Sequence, residues 1–252
     1  MDSILSPKPN LAPNFPQQEV FATTHWSGVV SAGRQSSTDA QGALETLCRT
    51  YWYPLYVYVR RQGHSPHDAQ DLTQSFFARF LENGAVKSAD RSRGKFRSFL
   101  LKSLQHFLTN EWARARAAKR GGKHTFISLD DDTAEGRYLC ESIADASPRK
   151  IFERRWALTI LEQALDKLSK ECRKSGKAAQ FAQLQVFLSG ETAIGEYDGP
   201  ADRLGMTVQT VAVAVHRLRQ RYRELVRAEI AQTVTTREEA EEEMSYLFAA
   251  LS

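Results

Sequence analysis

Residues 201–211 read Ala-Asp-Arg-Leu-Gly-Met-Thr-Val-Gln-Thr-Val, and this stretch decides how the C-terminal half folds. It predicts a short helix that stops at Gly205, a three-residue turn, and a second helix that begins after Thr207 as its N-cap. Glycine permits the positive φ that such a turn requires. The spacing is typical of a helix-turn-helix. The alternative is an ordinary helical hairpin with a basic, solvated face, because Leu-Gly followed by polar residues is common.

A strongly basic segment begins in this motif and continues after it. Between Arg203 and Arg227 the chain has six arginines and one acid, Glu224. In a helix-turn-helix, the N-terminal side chains of the second helix reach base edges in the major groove, and later basic residues suit phosphates. The pattern therefore predicts a DNA-binding site that consists of Thr207, Gln209, Thr210, Val213, Arg217, Arg219 and Arg221.

The N-terminal half contains a second amphipathic helix. Ser65 is predicted to cap a helix whose apolar side carries Leu72, Phe76 and Phe80 one turn apart. The other side is polar, and the pattern alone indicates no more than a solvated face. Its residues are Gln70, Asp71, Gln74, Arg79 and Glu82.

The next segment mixes aromatic with basic side chains. From Arg91 to Lys123 there are ten Lys or Arg residues against one acid, Glu111. A basic groove with aromatic platforms suits single-stranded DNA, because every base offers a face for stacking. The alternative is that the aromatic rings belong to the core, which the apolar stripe favours for Phe99 and Phe107.

Composition predicts an all-α protein. The 14 Gly and 8 Pro among 252 residues are few enough to favour long helices over a turn-rich β architecture. We expect two small helical domains joined by a flexible linker, with the helix-turn-helix in the C-terminal one. The predicted divisions are a disordered segment at 1–20, a first domain at 21–122, the linker at 123–148, a second domain at 149–235 and an acidic tail at 236–252.

Cysteine usage and hydropathy limit the other classes of function. Cys48, Cys140 and Cys172 have neither metal nor redox spacing, so a reduced, cytoplasmic environment is expected. No signal-peptide pattern and no long apolar stretch occurs, so neither export nor membrane insertion is expected. A metal site of His64, His67 and Cys48 would lack a fourth ligand. Without a nucleophile motif or a phosphate-cradling loop, the sequence predicts no metal, no cofactor and no enzymatic activity.

Three segments together resemble RNA polymerase sigma factors. The polymerase-binding helix of that family is similar to Asp68-Ala-Gln-Asp-Leu-Thr-Gln-Ser-Phe-Phe-Ala-Arg-Phe-Leu81, and its strand-separating segment to Gly94-Lys-Phe-Arg-Ser-Phe-Leu-Leu-Lys-Ser-Leu104. Its C-terminal helix-turn-helix is similar to Leu204-Gly-Met-Thr-Val-Gln-Thr-Val211 with His216-Arg-Leu-Arg219. The order and separation of these segments over residues 21–250 resemble the small extracytoplasmic-function type. The flanking segments resemble a subgroup abundant in planctomycete-like bacteria.

The resemblance implies a mechanism and partners. Core RNA polymerase would dock on the helix whose polar residues are Asp68, Gln70, Asp71, Gln74, Arg79 and Glu82. The next segment would open the minus-ten promoter element with Arg97, Phe99, Lys102, Trp112, Arg114, Arg116, Lys119 and Arg120. The helix after Thr207 would read the minus-thirty-five element. Core polymerase and promoter DNA are thus the implied partners, and the resemblance is compatible with an anti-sigma factor as a third.

Some positions depart from the family pattern. Phe99 stands where Trp is usual, and Gln105-His106 replaces Arg-Asn. Ala212 and Ala214 stand where related recognition helices often carry Lys or Arg. These alanines shift the predicted base readout to Gln209, Thr210, Val213 and the later arginines.

The sequence alone leaves two alternatives open, one for the function and one for the C-terminal tail. A DNA-binding regulator that works without polymerase would also explain the helix-turn-helix and the basic charge, but not the polymerase-binding segment. The C-terminal tail carries acidic residues from Glu238 to Glu243. This tail is either a solvated acidic helix or a segment that folds back on a basic DNA-binding face and limits DNA binding by the free protein.

Overall fold

The computed structural model describes residues 38–82, 95–118, 132–139, 146–190, 193, 195–234 and 236–251. Regular structure in these ranges is helical, which confirms the predicted all-α class. The elements in chain order are α1 (Thr38–Arg61), α2 (Pro66–Glu82), α3 (Phe96–Ala118), α4 (Asp132–Leu139), α5 (Pro148–Lys174), α6 (Ala178–Leu184), a 3₁₀ turn (Gln185–Phe187), α7 (Asp198–Leu204), α8 (Val208–Ala231) and α9 (Arg237–Leu251). The predicted disordered segment at 1–20 lies outside the described residues. No described helix is long and apolar enough to cross a membrane.

The helices α1, α2 and α3 pack together through their apolar stripes. Ser65 caps α2 by accepting a hydrogen bond from the Asp68 N–H at 3.1 Å, which confirms the predicted cap. Phe76 packs against Phe80 of the same helix and against Phe107 of α3, with ring centroids 5.4 and 5.7 Å apart. Buried aromatic pairs of this kind contribute about 0.5–1.5 kcal/mol beyond area burial. The aromatic residues of α2 therefore fix the outward direction of its polar side.

Helix α5 connects the two halves of the chain. Ser147 caps it by accepting from the Lys150 N–H, and Pro148 occupies the first turn, where its missing N–H breaks no bond. The helix packs against α1, α8 and α9, with Phe152 and Trp156 fully buried at the junction. One continuous hydrophobic core therefore extends from α1 through α5 to α9.

A smaller core stabilises the region of α7 and α8. It consists of Leu184, Ala201, Val211 and Val215, which come from three different helices. Phe187 and Tyr197 close it at one side with an edge-to-face ring contact of 5.2 Å. This core supports the short α7 against α8 and so fixes the angle between them.

Part of the segment predicted as a flexible linker forms α4. Its Glu135 accepts hydrogen bonds from the Tyr56 hydroxyl at 2.6 Å and from Arg60 Nε at 3.0 Å, and Ala134 is buried. A helix of 8 residues is too short to produce a sustained apolar period, which is why the sequence pattern missed it. The remainder of the predicted linker up to residue 145 lies outside the described residues, and the domain boundaries stay predictions.

Candidate functional site

The turn between α7 and α8 has the geometry that the sequence predicts. Gly205 ends α7 with φ 61° and ψ 35°, in the left-handed region, and the Met206 N–H donates to the Ala201 carbonyl at 2.9 Å. Thr207 then caps α8, because its hydroxyl oxygen accepts from the Thr210 N–H at 3.2 Å. Both features were predicted from the sequence and are confirmed. They present the first turns of α8 outward.

The exposed side of α8 carries most of the predicted base-reading residues. Val211 and Val215 are buried in the small core, whereas Val213 is 50% exposed. The other exposed side chains on this side are Thr207, Gln209, Thr210 and Arg217. An amide, a hydroxyl and an apolar group at the start of one helix can read adenine edges and thymine methyl groups in a major groove.

Two of the predicted phosphate-contacting arginines make intramolecular contacts in this structure. Arg219 donates to the carbonyls of Phe187 at 2.7 Å and Gly190 at 2.9 Å. Arg221 forms ion pairs with Glu171 of α5 and Glu224 of α8, and these bonds raise the pKa of its guanidinium. Both side chains therefore position α8 on its neighbours, whereas Arg217 is exposed and makes no such bond to any residue that the structure describes.

The predicted polymerase-binding residues lie on the outward side of α2. Ala69, Thr73, Phe76 and Phe80 form its buried stripe. Asp68 and Glu82 are exposed, and the half-buried residues between them are Gln70, Asp71, Gln74 and Arg79. Arg79 differs from the rest because it forms an ion pair with Glu111 of α3 and lies over the Phe107 ring at 5.4 Å. It connects α2 to α3, while the other residues form a polar strip that faces outward.

Two residues of the predicted melting site pack into or against the core. Arg97 is only 5% exposed and forms an ion pair with Glu243 of α9, and burial lowers the pKa of its guanidinium. Phe99 packs against Phe80 and Phe96 at centroid distances of 6.1 and 6.5 Å, as the core alternative for this ring predicted. In this conformation the Arg97 guanidinium is buried in its ion pair, and the half-buried Phe99 ring packs against the core. The sequence could not reveal this, because the partner of Arg97 lies near the other end of the chain.

The rest of the predicted melting site is exposed where the structure describes it. Lys102 is exposed, Trp112 is 60% exposed, and Arg114 is exposed while paired with Glu111 at 2.9 Å. Arg116 lies in α3, but its side chain is outside the described part, as are Lys119 and Arg120. Lys102, Trp112 and Arg114 are thus the described basic and aromatic residues of this site that α3 exposes, and we call them its basic and aromatic strip.

A cleft lies between α3 and the first turns of α5. Its volume is about 310 Å³, and it brings together basic groups from both helices. They are Arg97, Lys102, His106 and Arg149, alongside Gln105 and Glu153. Gln105 also donates to the Tyr58 hydroxyl at 2.9 Å, which orients α3 on α1. Arg149 was not predicted as a site residue, because it begins a helix that the sequence pattern assigns to another domain.

One part of the chain is similar to a known protein family. Residues 47–118, which cover α1 from Leu47, α2 and α3, match the family model of sigma-70 region 2. No curated protein and no solved structure matches the chain. The match includes the polar strip of α2 and the basic and aromatic strip of α3, and α4 to α9 lie outside it.

Proposed function

We propose that this chain is a sigma factor, which binds core RNA polymerase and directs promoter recognition and transcription initiation; the match of residues 47–118 to the family model of sigma-70 region 2 supports this proposal. The observation that carries this proposal is the coincidence of the matched segment with two outward strips. One is the polar strip of α2, formed by Asp68, Gln70, Asp71, Gln74 and Glu82. The other is the basic and aromatic strip of α3.

In this account the two strips have different partners. The strip of α2 binds the polymerase through hydrogen bonds and ion pairs, and its rigidity comes from the aromatic core beneath it. The strip of α3 contacts the minus-ten element, where exposed Lys102 and Arg114 neutralise phosphates and Trp112 stacks on an unpaired base. Separating a few base pairs costs several kcal/mol of stacking, which these contacts offset.

The finer part of the proposal concerns the C-terminal half. We assign the minus-thirty-five element to the exposed start of α8, with Gln209, Thr210 and Val213 at base edges and Arg217 on the backbone. We propose further that the chain is of the two-domain, extracytoplasmic-function type and of its planctomycete-like subgroup, as the sequence resemblance implies. We expect it to act by binding, without catalysis, in the cytoplasm with the polymerase, and under an anti-sigma factor in cells that encode one.

Association with core polymerase is the direct test of this proposal. The purified chain is mixed with bacterial core RNA polymerase, and the mixture is resolved by gel filtration with and without promoter-containing DNA. We expect a stoichiometric complex that survives without DNA. DNA binding with no polymerase complex would instead favour a conventional helix-turn-helix regulator, and the polymerase role would then be abandoned.

A further inference from the structure

The C-terminal helix α9 is an integral part of the described fold. Ala240, Met244 and Leu247 are buried in the continuous core, and α9 packs against α5 and α8. The acidic residues of the same helix lie close to basic side chains. A helix that is apolar on one side and acidic on another is therefore held at a basic surface, and is not a solvated tail.

The basic surface is the beginning of α3. The Glu243 carboxylate, 2% exposed, forms ion pairs with Arg97 and, at 2.7 Å, with Lys95. The Arg97 guanidinium also lies over the Tyr246 ring, 3.9 Å from its centroid, and over the Trp156 ring at 4.8 Å. Stacking and ion pairing together replace the hydration that this cation loses on burial.

A second set of contacts ties the same helix to the DNA-reading half. Glu241 accepts from Arg227 Nε of α8 at 3.0 Å. Helix α9 thus contacts α3 through Glu243 and α8 through Glu241, which are two residues apart and point to nearly opposite sides of the helix. It adds contacts to both halves of the chain and favours the arrangement in which they share one core.

This shared arrangement is incompatible with the distance between two promoter elements. The minus-ten and minus-thirty-five elements lie roughly 25 base pairs apart, which is on the order of 85 Å of duplex. Even a compact body that contained all 252 residues would have a radius of gyration of about 18 Å, and so would be about 45 Å across. Strips on α3 and α8 of one such body cannot occupy both elements at once.

We propose that α9 is an intramolecular latch, which covers the basic beginning of α3 and holds the free protein in a closed form that binds DNA weakly. The inference rests on the proposed function, because only a promoter-binding protein needs its two strips apart. The polar strip of α2 lies outside these contacts, so polymerase can bind the closed form. The binding energy that the two halves gain when they bind polymerase then releases α9 from its contacts with α3 and α8.

The latch is tested by charge reversal at its exposed positions. Glu241→Lys combined with Glu242→Lys removes the ion pairs of these two residues with Arg227 and Lys95 and places like charges beside them, while the buried Glu243 is unchanged. The matched control is Glu238→Lys combined with Asp166→Lys, which makes the same change in net charge away from the latch contacts. A chain truncated after Thr235 is the second variant, with its folding checked by circular dichroism.

Fluorescence anisotropy with labelled single-stranded and duplex oligonucleotides measures DNA affinity without polymerase. We expect the latch variant to bind about tenfold more tightly than the wild type and clearly more tightly than the control, because apparent affinity scales with the open fraction. Equal affinities of a folded latch variant and its control would overturn the proposal and make α9 a structural helix only. Polymerase association is read separately by gel filtration, so loss of the proposed function would appear as no complex with any variant.

Discussion

Arg97 of α3 and Glu243 of α9 form an ion pair between side chains that are 6% and 2% exposed. The two residues come from the segment expected to open DNA and from the C-terminal tail. Burial of two charges is tolerated because each satisfies the other, and because the Tyr246 and Trp156 rings lie against the cation. This ion pair stabilises the fold and also keeps Arg97 from DNA, since the same guanidinium cannot bind the Glu243 carboxylate and DNA at once.

A double-mutant cycle on this pair should show strong coupling. Removing one partner leaves an uncompensated buried charge, so Glu243→Ala is expected to lower the free energy of unfolding by about 3 kcal/mol. The double variant with Arg97→Ala should lose clearly less than the sum of the single losses. Urea unfolding followed by circular dichroism provides the values, and strictly additive losses would mean that the two side chains do not meet.

The polar strip of α2 should determine polymerase affinity. Asp71→Lys together with Gln74→Lys replaces an acidic and a neutral side chain of the strip by two positive ones and leaves the buried stripe unchanged. We expect at least about a tenfold loss of core polymerase affinity. Asp166→Lys on α5 is the control for added positive charge, and it should bind as the wild type does. Equal binding by all three proteins would remove α2 from the interface.

Substitutions at the exposed start of α8 should distinguish a residue that reads bases from a residue that contacts phosphates. Gln209→Ala is expected to lose about 1–3 kcal/mol of discrimination at one promoter base pair, because the amide can pair with an adenine edge. Arg217→Ala should weaken all sequences alike and reduce the salt dependence of binding. Binding measured on a set of single-base promoter variants at several salt concentrations tests both. A uniform effect of Gln209→Ala would exclude it from base contact.

The stability that Glu135 of α4 contributes should depend on pH. Hydrogen bonding by Arg60 is the main reason why the pKa of Glu135 lies below its usual value, with Tyr56 adding to it. A carboxyl whose pKa is lowered on folding stabilises the protein above its unfolded pKa, and this contribution disappears as pH falls through the folded pKa. Glu135→Gln is therefore expected to cost about 1 kcal/mol at neutral pH and less at acidic pH.

Thermal unfolding across acidic to neutral pH measures the effect of this variant. Glu162→Gln is a suitable control, because its ion pair with Arg137 is about half exposed on both sides and should contribute little. A stability difference between Glu135→Gln and wild type that does not change with pH would contradict the role of the carboxylate.

Local sequence signals predicted the helices and their ends well. Ser65 and Thr207 cap helices, and Gly205 takes a positive φ, because each of these features depends on a few neighbouring residues. The outward side of α2 followed in the same way from the spacing of its buried aromatic residues. The all-α class follows from local signals of this kind.

Long-range contacts could not be predicted from the same signals. Arg97 and Arg219 belong to basic runs, yet one pairs with Glu243 and the other donates to the carbonyls of Phe187 and Gly190. Only the folded chain brings these partners together. A count of positive charges therefore overestimates the DNA-facing surface. The sequence pattern also does not predict the short helix α4, because Glu135 finds its partners in α1.

Transcription by core polymerase is the most direct test of the central claim that this chain is a sigma factor. Purified chain and core RNA polymerase are incubated with fragmented genomic DNA of the source organism, and transcript 5′ ends are mapped. We predict discrete start sites that require the chain and disappear with the Asp71→Lys and Gln74→Lys variant. Identical transcripts with and without the chain, from a polymerase that a known sigma factor activates, would contradict the claim.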